Sequence, residues 1–510
     1  MKGHVLHRLA VTAQQQVRGD LEAGDFPEIR VRAGIEAIGE QLVNPGAAEL
    51  ARRQADAVDD EQLGDDARGT RILVRGGTLA GGGQQAGARV DVESGPASRW
   101  RHGRQSALQG GGLHPSRPAR IMVRMRAALP PLEDMIRRLV ATPSVSSLRP
   151  ELDQGNAAVC ELLAGWLEPL GFEVEIRPVP GLPGKFNLLA RSGPGEDGLV
   201  LAGHTDTVPF DAARWQFDPF GGELRDGRLH GLGSADMKSF LAVVAHAAAR
   251  LDLRRLERPL VILGTADEES GMGGARALVE AGERLGARVL VGEPTGLQPV
   301  DRHKGVLMER IRITGRSGHA SDPAAGLNAI DGAMAVITAL HDYVDHLAAE
   351  LPDLGFPVPG PTLNLGAIRG GDNPNRICAA CELDVDLRLV PGMTTAGARE
   401  GLRAVVGRML EGSGFLLEFV PLFEGVDPLA PGAHRELAHA CEHATGQGCG
   451  AVNFGTEGPL FQQLGMEVVV CGPGNVAQAH QPDEFIALAD AHRAVDLVAA
   501  LAQQFCGAER

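Results

Sequence analysis

The sequence predicts an α/β protein, in which a main domain with a mixed sheet flanked by helices carries an inserted α+β domain. Short apolar runs bounded by glycine or polar residues, such as GLVLAG, RPLVILGTA and ARVLVGE, alternate with segments of about ten residues or more that have helical spacing. This alternation is typical of buried strands and their crossover helices. From about Asp301 the pattern changes to a self-contained set of strands and helices, which indicates a second folding unit.

The individual elements follow from local patterns. LEDMIRRLVAT and DQGNAAVCELLAGWLEPLG have helical spacing, and Gly171 supplies a stop signal for the second helix. FEVEIRPV, FNLLARS, LVLAG, LVILGTA and RVLVGE are predicted strands. In the second unit a long helix over NAIDGAMAVITALHDYVDHLAAEL precedes PTLNLGAIRG and CELDVDLRLV. We expect residues 122–300 and 416–510 to form the main domain, and residues 301–415 to form the inserted lid and dimerisation domain.

The first 121 residues differ from the rest. They contain no cysteine, and their aromatic residues are Phe26 and Trp100. Runs such as GGTLAGGGQQAGA lack the periodic apolar content that builds a core. We predict that residues 1–121 are an extension outside the folded domains. The extension is either a disordered arm or the product of an upstream start assignment, with Met122 and Met125 as internal starts.

Composition argues against several classes of function. The net charge of −16 argues against a nucleic-acid partner. The sequence contains no run of 18 apolar residues, so it does not predict a membrane span. Seven cysteines without regular spacing predict reduced thiols in a cytoplasmic protein. Cys378 and Cys381 form a C-x-x-C, but no second cysteine pair accompanies them, so packing within a strand is their predicted role.

Five short segments each carry an imidazole or carboxylate that could bind a metal ion: GHTDTVP, GLGSADMKS, TADEESG, VGEPT and AHQPDE. Their candidate ligands are His204, Asp236, Glu269, Glu293 and His480. Three of the segments follow predicted strands, and ligands gather outside the carboxyl ends of parallel strands. Imidazole and carboxylate suit borderline cations such as zinc, and two such ions share a bridging carboxylate. The pattern predicts a two-metal hydrolase site.

Neighbouring side chains fit such a site. Glu268 and Glu269 are adjacent at a strand end and point in different directions, so one can bind metal while the other faces the reacting water. Asp206 lies two residues beyond His204 and could support its second ring nitrogen. The alternatives are structural: Asp206 could be a turn residue, and Asp236 could be a helix N-cap.

From about Met125 to its C terminus, the chain resembles the di-zinc aminoacylase and carboxypeptidase family. The metal-binding segments occur in the family's order, and longer stretches such as GEPTGLQPVDRHKG, SGHASDPAAGLNAI and GPGNVAQAHQPDEF add to the likeness. These longer stretches resemble the members that remove acetyl from N2-acetyl-L-ornithine in arginine biosynthesis. The alternatives are deacylation of acetylcitrulline or succinyl-diaminopimelate, and a relative that binds such compounds without catalysis.

The resemblance implies a role for each candidate residue. His204 and Glu293 would bind one metal, Glu269 and His480 the other, and Asp236 would bridge them. Glu268 would be the general base and acid.

It also implies functional residues in the lid. His319 in SGHASDP would reach across a dimer interface to stabilise the oxyanion. Asn375 and Arg376 in NPNRIC would contact the substrate carboxylate, for which a guanidinium is suited. The implied cofactors are two divalent ions per chain, zinc or alternatively cobalt. The implied partners are a small N-acyl amino acid substrate and a second copy of the chain, in a homodimer.

Overall fold

The computed structural model describes residues 129–508, so the predicted extension over residues 1–121 lies outside the described part of the chain. The first half of the large domain contains the following helices and strands: α1 (Leu132–Val140), α2 (Ala157–Leu167), β1 (Glu173–Pro178), β2 (Phe186–Ser192), β3 (Leu199–His204), β4 (Glu223–Arg225), β5 (Arg228–His230), α3 (Lys238–Ala249), β6 (Leu260–Thr265), α4 (Gly273–Glu280), β7 (Arg288–Val291) and β8 (Val300–His303).

The smaller domain and the return of the chain follow. The smaller domain contains β9 (Gly305–Thr314), α5 (Ala329–Glu350), β10 (Thr362–Gly370), β11 (Ala380–Leu389), α6 (Thr395–Met409) and β12 (Leu416–Pro421). The returning segment contains α7 (Glu436–Thr445), β13 (Gly450–Val452), α8 (Gly458–Gln463), β14 (Glu467–Val470), β15 (Phe485–Ala487) and α9 (Leu488–Cys506).

The large domain is built on a mixed sheet of eight strands in the order β1-β2-β6-β3-β7-β14-β8-β13. β3 pairs in parallel with β6 and β7, whereas β2 is antiparallel to both β1 and β6. Successive residues of a strand face opposite sides of the sheet. Accordingly, Leu199 and Leu201 pack into a core with α1, α2, α3 and α9, while Val200 and Ala202 pack into a second core with α4 and α8. The predicted α/β class and mixed sheet are confirmed.

This topology concentrates functional groups at one edge. β3, β6 and β7 run parallel, so their carboxyl ends meet at the same side of the sheet. β3 ends at His204, and the segments that follow β6 and β7 carry the candidate glutamates. The position agrees with the general rule for ligand sites in α/β sheets.

The smaller domain has its own antiparallel sheet, in the order β10-β11-β9-β12, covered by α5 and α6. Its limits differ from the sequence prediction of residues 301–415. β8 pairs with β13 and β14 in the large sheet, and β12 pairs with β9 in the small sheet. The smaller domain therefore begins at about Gly305 and ends at about Pro421. Pairing with distant partners decides both limits, and the change of sequence pattern near Asp301 marks the first of them only to within a few residues.

Two composition-based predictions concern the described residues. Cys378 and Cys381 are both buried in the core of the smaller domain, where they pack against apolar side chains. Of the two, Cys381 lies in β11, whereas Cys378 precedes that strand and does not have the predicted strand position. Among residues 129–508, no helix is both long enough and apolar enough to cross a membrane.

Candidate metal centre

Asp236 lies between two histidines that are far apart in the sequence. Its Oδ1 is 3.0 Å from Nε2 of His204, and its Oδ2 is 3.6 Å from Nε2 of His480. The two oxygens of one carboxylate thus face two different imidazoles, which is the arrangement required of a ligand shared between two ions. His204 is fully buried at the end of β3, whereas the His480 side chain is 55% exposed.

Glu269 and Glu293 complete two groups of donors. The carboxylate of Glu269 approaches His480, with Oε2 at 3.1 Å from Nε2, and Glu293 Oε1 lies 4.0 Å from Nε2 of His204. One set of donor atoms, each within 4.8 Å of the others, comes from His204, Asp236 and Glu269, and another comes from His204, Glu268 and Glu293.

The chemistry of these groups fits two divalent cations. Oε1 of Glu269 is buried and accepts no hydrogen bond from any described residue, although a buried carboxylate oxygen ordinarily has a partner. Imidazole nitrogens and carboxylate oxygens are the donors that zinc and similar ions accept. Several carboxylates gathered in a buried space also require positive charge for compensation.

Asp206 supports the site in a way that the sequence did not predict. Nδ1 of His204 contacts the main-chain oxygen of Asp206 at 3.1 Å, while the carboxylate of Asp206 lies farther away, at 3.7 Å. The carboxylate instead accepts the main-chain N–H groups of Glu268 and Glu269, at 3.3 and 3.2 Å. Asp206 therefore contacts the last residue of β3 through its carbonyl and the loop after β6 through its side chain.

Burial and neighbouring negative charges raise the pKa values of Glu268 and Glu293. Burial raises the pKa of Glu268 well above its ordinary value, and the charges of Glu293 and Glu269 raise it further against the opposing effect of His204. Burial also raises the pKa of Glu293, with the charge of Asp236 as the next contribution. Raised acid pKa values in a cavity are typical of functional sites.

The pKa values of His204 and His480 are raised, whereas burial ordinarily lowers the pKa of an imidazole. Burial alone lowers the pKa of His204, but the hydrogen bond with Asp236 and the charges of Glu293 and Glu268 outweigh it and hold the pKa well above its ordinary value. The hydrogen bond with Glu269 raises the pKa of His480 to about 9. Both shifts show an excess of negative charge, which bound cations would neutralise.

The group of candidate metal ligands borders a cavity of about 590 Å³ between the large domain and the smaller domain. Glu268, Glu269 and His480 form its polar wall. Its other lining residues include apolar side chains from both domains and two cations: Met272, Val306, Met308, Leu422, Phe423, Phe454, Arg149 and Arg388. Such a combination of apolar walls with a few convergent polar groups is typical of small-molecule sites.

The three predicted lid residues form a separate group. His319 and Arg376 form an isolated β-bridge, and Ala320 donates its N–H to the carbonyl of Asn375. The guanidinium of Arg376 is paired with Asp372 and is half-exposed. Among the described residues that line the cavity, none belongs to this group.

Sequence reasoning missed Arg388 and Glu484. Arg388 lines the cavity, and Asp386 orients its guanidinium through hydrogen bonds of 2.8 and 2.9 Å. The alternation in CELDVDLRL, which puts Arg388 on the same strand face as Asp386, is the signal that could have identified it. Glu484 is a buried acid in the same short segment as His480, and its spacing alone gave no indication of its hydrogen bonds.

A comparison with curated proteins gives a close match. The chain is 44% identical over 378 residues to an acetylornithine deacetylase of Pasteurella multocida, which covers 74% of this chain and 99% of the relative. It is also 44% identical over 386 residues to an acetylornithine deacetylase of Proteus mirabilis, covering 76% of this chain and the full length of the relative. The resemblance predicted from the longer sequence stretches is confirmed.

Solved structures and a family model agree with this match. A metallo-carboxypeptidase of the M20 family from Sulfolobus solfataricus superposes with a TM-score of 0.59 at 17% identity, over 74% of this chain and 99% of the other. At that identity the likeness shows the fold alone. The model of peptidase family M20/M25/M40 matches residues 200–504, more than half of the chain. This match and the 44% identity to full-length relatives establish that the chain belongs to peptidase family M20/M25/M40.

Proposed function

We propose that this protein is a metal-dependent amidohydrolase that removes acetyl from N2-acetyl-L-ornithine, giving L-ornithine and acetate, in arginine biosynthesis. The observation that carries the proposal is that a shared carboxylate, Asp236, lies between His204 and His480 at the wall of a cavity of substrate size. The substrate is proposed from the curated acetylornithine deacetylases, because the match to this chain covers 99% and 100% of their length.

Five residues would hold two divalent ions. We assign His204 and Glu293 to one ion, Glu269 and His480 to the other, and Asp236 to both. The cations, when bound, would polarise the amide carbonyl and lower the pKa of water. Zinc is the proposed metal and cobalt the alternative, because the same donors accept either ion.

Glu268 is the proposed general base and acid. Its carboxylate lines the cavity beside Glu269, and its raised pKa favours holding a proton between the two halves of the reaction. It would take a proton from the attacking water and later deliver a proton to the amine nitrogen of the leaving ornithine. The main-chain hydrogen bonds from Glu268 and Glu269 to Asp206 would keep this carboxylate directed at the cavity.

The substrate's α-carboxylate requires a cation in the cavity. Arg388 is the proposed contact, because Asp386 holds its planar guanidinium in one orientation and a guanidinium can bind a carboxylate with two hydrogen bonds. Arg149 lies on the same cavity wall and is exposed. The apolar side chains of Met308, Leu422 and Phe454 would contact the methylene groups of the substrate.

His319, Asn375 and Arg376 are proposed to act on a partner subunit. They lie together at the surface of the smaller domain and outside the cavity of their own chain. The same domain exposes Met334 of α5 and Ile368 of the edge strand β10. Exposed apolar side chains and an unpaired strand edge are typical of an interface, so we propose a homodimer formed through this domain.

The test is a comparison of substrates with the purified protein. We expect kcat/KM to be highest for N2-acetyl-L-ornithine and lower for acetylcitrulline and succinyl-diaminopimelate. Elemental analysis should find about two divalent ions per chain, with zinc and cobalt measured separately. A higher kcat/KM for succinyl-diaminopimelate would overturn the substrate assignment, and metal-independent hydrolysis would overturn the mechanism.

A further inference from the structure

The turn that carries Asp236 is held largely by hydrogen bonds to other segments of the chain. Residues 231–237 connect β5 to α3 without belonging to a strand or helix. Gly231 and Gly233 adopt positive φ angles of 150° and 77°, a region that glycine enters readily. Two local main-chain hydrogen bonds, from Ser234 N–H to Gly231 and from Lys238 N–H to Gly233, shape the turn. The N–H groups of Gly231, Gly233, Ala235 and Asp236 donate to another segment, so the position of the Asp236 carboxylate depends on that contact as well.

Glu484 supplies those contacts through one carboxylate. Its Oε1 accepts the main-chain N–H groups of Ala235 and Asp236, at 2.7 and 3.0 Å, and its Oε2 accepts that of Gly233 at 2.9 Å. The main-chain oxygen of Glu484 accepts a fourth N–H, from Gly231, at 2.9 Å. The residue is 1% exposed, so water does not compete for these hydrogen bonds.

The same short segment also carries His480. Glu484 follows His480 by four residues and precedes β15, which pairs with β5 directly before the turn. One end of this segment thus places the imidazole of His480, and the other end holds the turn of Asp236. The 3.6 Å separation between Nε2 of His480 and Oδ2 of Asp236 is the product of both placements.

We propose that Glu484 is a positioning residue that places the Asp236 carboxylate between His204 and His480. It thereby determines how tightly the second of the two metal ions binds when the ions are added in turn. The inference rests on the proposed metal centre. It predicts weaker metal binding when Glu484 is changed, although Glu484 acts on the turn and contributes no donor atom to the metal ions.

A glutamine at this position isolates the effect. Glu484→Gln preserves shape but replaces one acceptor oxygen with an NH2 group, which would face at least one main-chain N–H of the turn. Two donors facing each other in a buried site leave both without a partner. Changes to residues that orient metal ligands typically weaken metal binding by about 10- to 100-fold.

Asp483→Asn is the matched control. Asp483 is the preceding residue, and its Oδ1 accepts the N–H groups of Gln216 and Phe217, in a different loop. It adopts a φ of 59°, which asparagine tolerates, and asparagine retains an acceptor oxygen. The two variants therefore make the same chemical change in adjacent residues that hold different segments.

The experiment is a calorimetric titration of chelator-treated full-length protein with Zn²⁺, together with thermal unfolding of the metal-free proteins. We expect wild type and Asp483→Asn to bind two ions alike. Glu484→Gln should bind the second ion at least about tenfold more weakly, and its metal-free Tm should fall as well, because two buried donors lose their partner. Equal affinities in Glu484→Gln and wild type would overturn the inference, as would equal losses in both variants with equal falls in Tm.

Glu484→Asp provides a second measurement if the glutamine variant does not fold. The shorter side chain keeps the charge but cannot reach all three N–H groups, so a weaker second site is again expected, and wild-type affinity would overturn the inference. If wild type itself binds no Zn²⁺, the proposed metal centre is the part that fails, which separates the two hypotheses.

Discussion

Asp206 accepts the main-chain N–H of Glu268 through its Oδ1, at 3.3 Å, across 62 positions of sequence. Its second oxygen accepts the N–H of Glu269, and the side chain is fully buried. The carboxylate of Asp206, which lies next to the proposed metal ligand His204, therefore orients the proposed base Glu268 and the proposed ligand Glu269. This relationship connects the ends of β3 and β6, which lie side by side in the sheet.

Asp206→Asn should lower kcat for N2-acetyl-L-ornithine by about 10- to 100-fold, since hydrogen bonds to a charged group contribute about 1.5–3 kcal/mol. The amide can accept only one of the two N–H groups and would turn its own donor toward the other. Steady-state kinetics and metal content of the purified variant measure the effect. Asp211→Asn, at an exposed cap, is the control and should keep wild-type kcat; wild-type kcat in Asp206→Asn would contradict the assigned role.

Glu268→Gln should reduce kcat by about 10² to 10⁴, the usual contribution of positioned proton transfer, while the protein keeps its metal ions. Glutamine has the same shape but neither accepts nor delivers the proton. Kinetics and elemental analysis on the same preparation check the two halves of the prediction. Glu280→Gln, an exposed residue at the end of α4, should behave as wild type. Loss of metal together with activity would assign Glu268 as a ligand instead.

Arg388→Lys should raise KM for N2-acetyl-L-ornithine by about tenfold or more, because a carboxylate bound by two guanidinium hydrogen bonds loses one partner in an ammonium. The positive charge remains, so the change isolates geometry from charge. The measurement is KM for acetylated amino acids with and without a free carboxylate. An equal increase for both substrates would place Arg388 away from the carboxylate.

Mixing two inactive variants should test whether His319 acts across the interface. In a dimer of one Glu268→Gln chain and one His319→Ala chain, one site combines an intact Glu268 with an intact His319 from the other chain. We expect mixed dimers, refolded or co-expressed, to recover activity that neither parent shows. Mixtures that remain as inactive as the parents would contradict the action of His319 across the interface.

The metal-free protein should lose stability as pH rises. The pKa of His480 is raised from 6.5 to about 9 in the fold, so its stabilising contribution is present below pH 6.5 and is lost as pH rises toward 9. The raised acid pKa values of Glu268 and Glu293 act in the same direction, because the folded state holds protons that the unfolded state has released. Bound cations remove this excess negative charge.

Thermal unfolding of chelated and Zn²⁺-loaded protein between about pH 6 and pH 9 measures the difference. The Tm of the chelated protein should fall across this range, and the Tm of the loaded protein should change less. Parallel curves for the two forms would contradict the electrostatic account of the cluster.

Sequence patterns predicted the elements that depend on local burial. GLVLAG spans most of β3, and its residues are apolar because both faces of that strand are covered. The long amphipathic pattern after Asn328 is α5, and Asn328 caps this helix by accepting the N–H of Ile330. The limits of the smaller domain lie a few residues from the predicted ones, because β12 is assigned by its pairing with β9, which lies about a hundred residues earlier in the chain.

The sequence by itself determined which donors are available. The alternation of apolar strands with helices also predicted parallel strands, whose carboxyl ends would gather those donors. His204, Asp236 and His480 were all expected in one site, and the structure brings them together. Only the tertiary structure decided what holds them. Glu484 reaches the turn of Asp236 across 248 positions, and Asp206 supports the glutamates through main-chain N–H groups, which every residue type except proline offers. Such contacts leave no pattern in the sequence, because they depend on backbone placement and burial that exist only after the chain has folded.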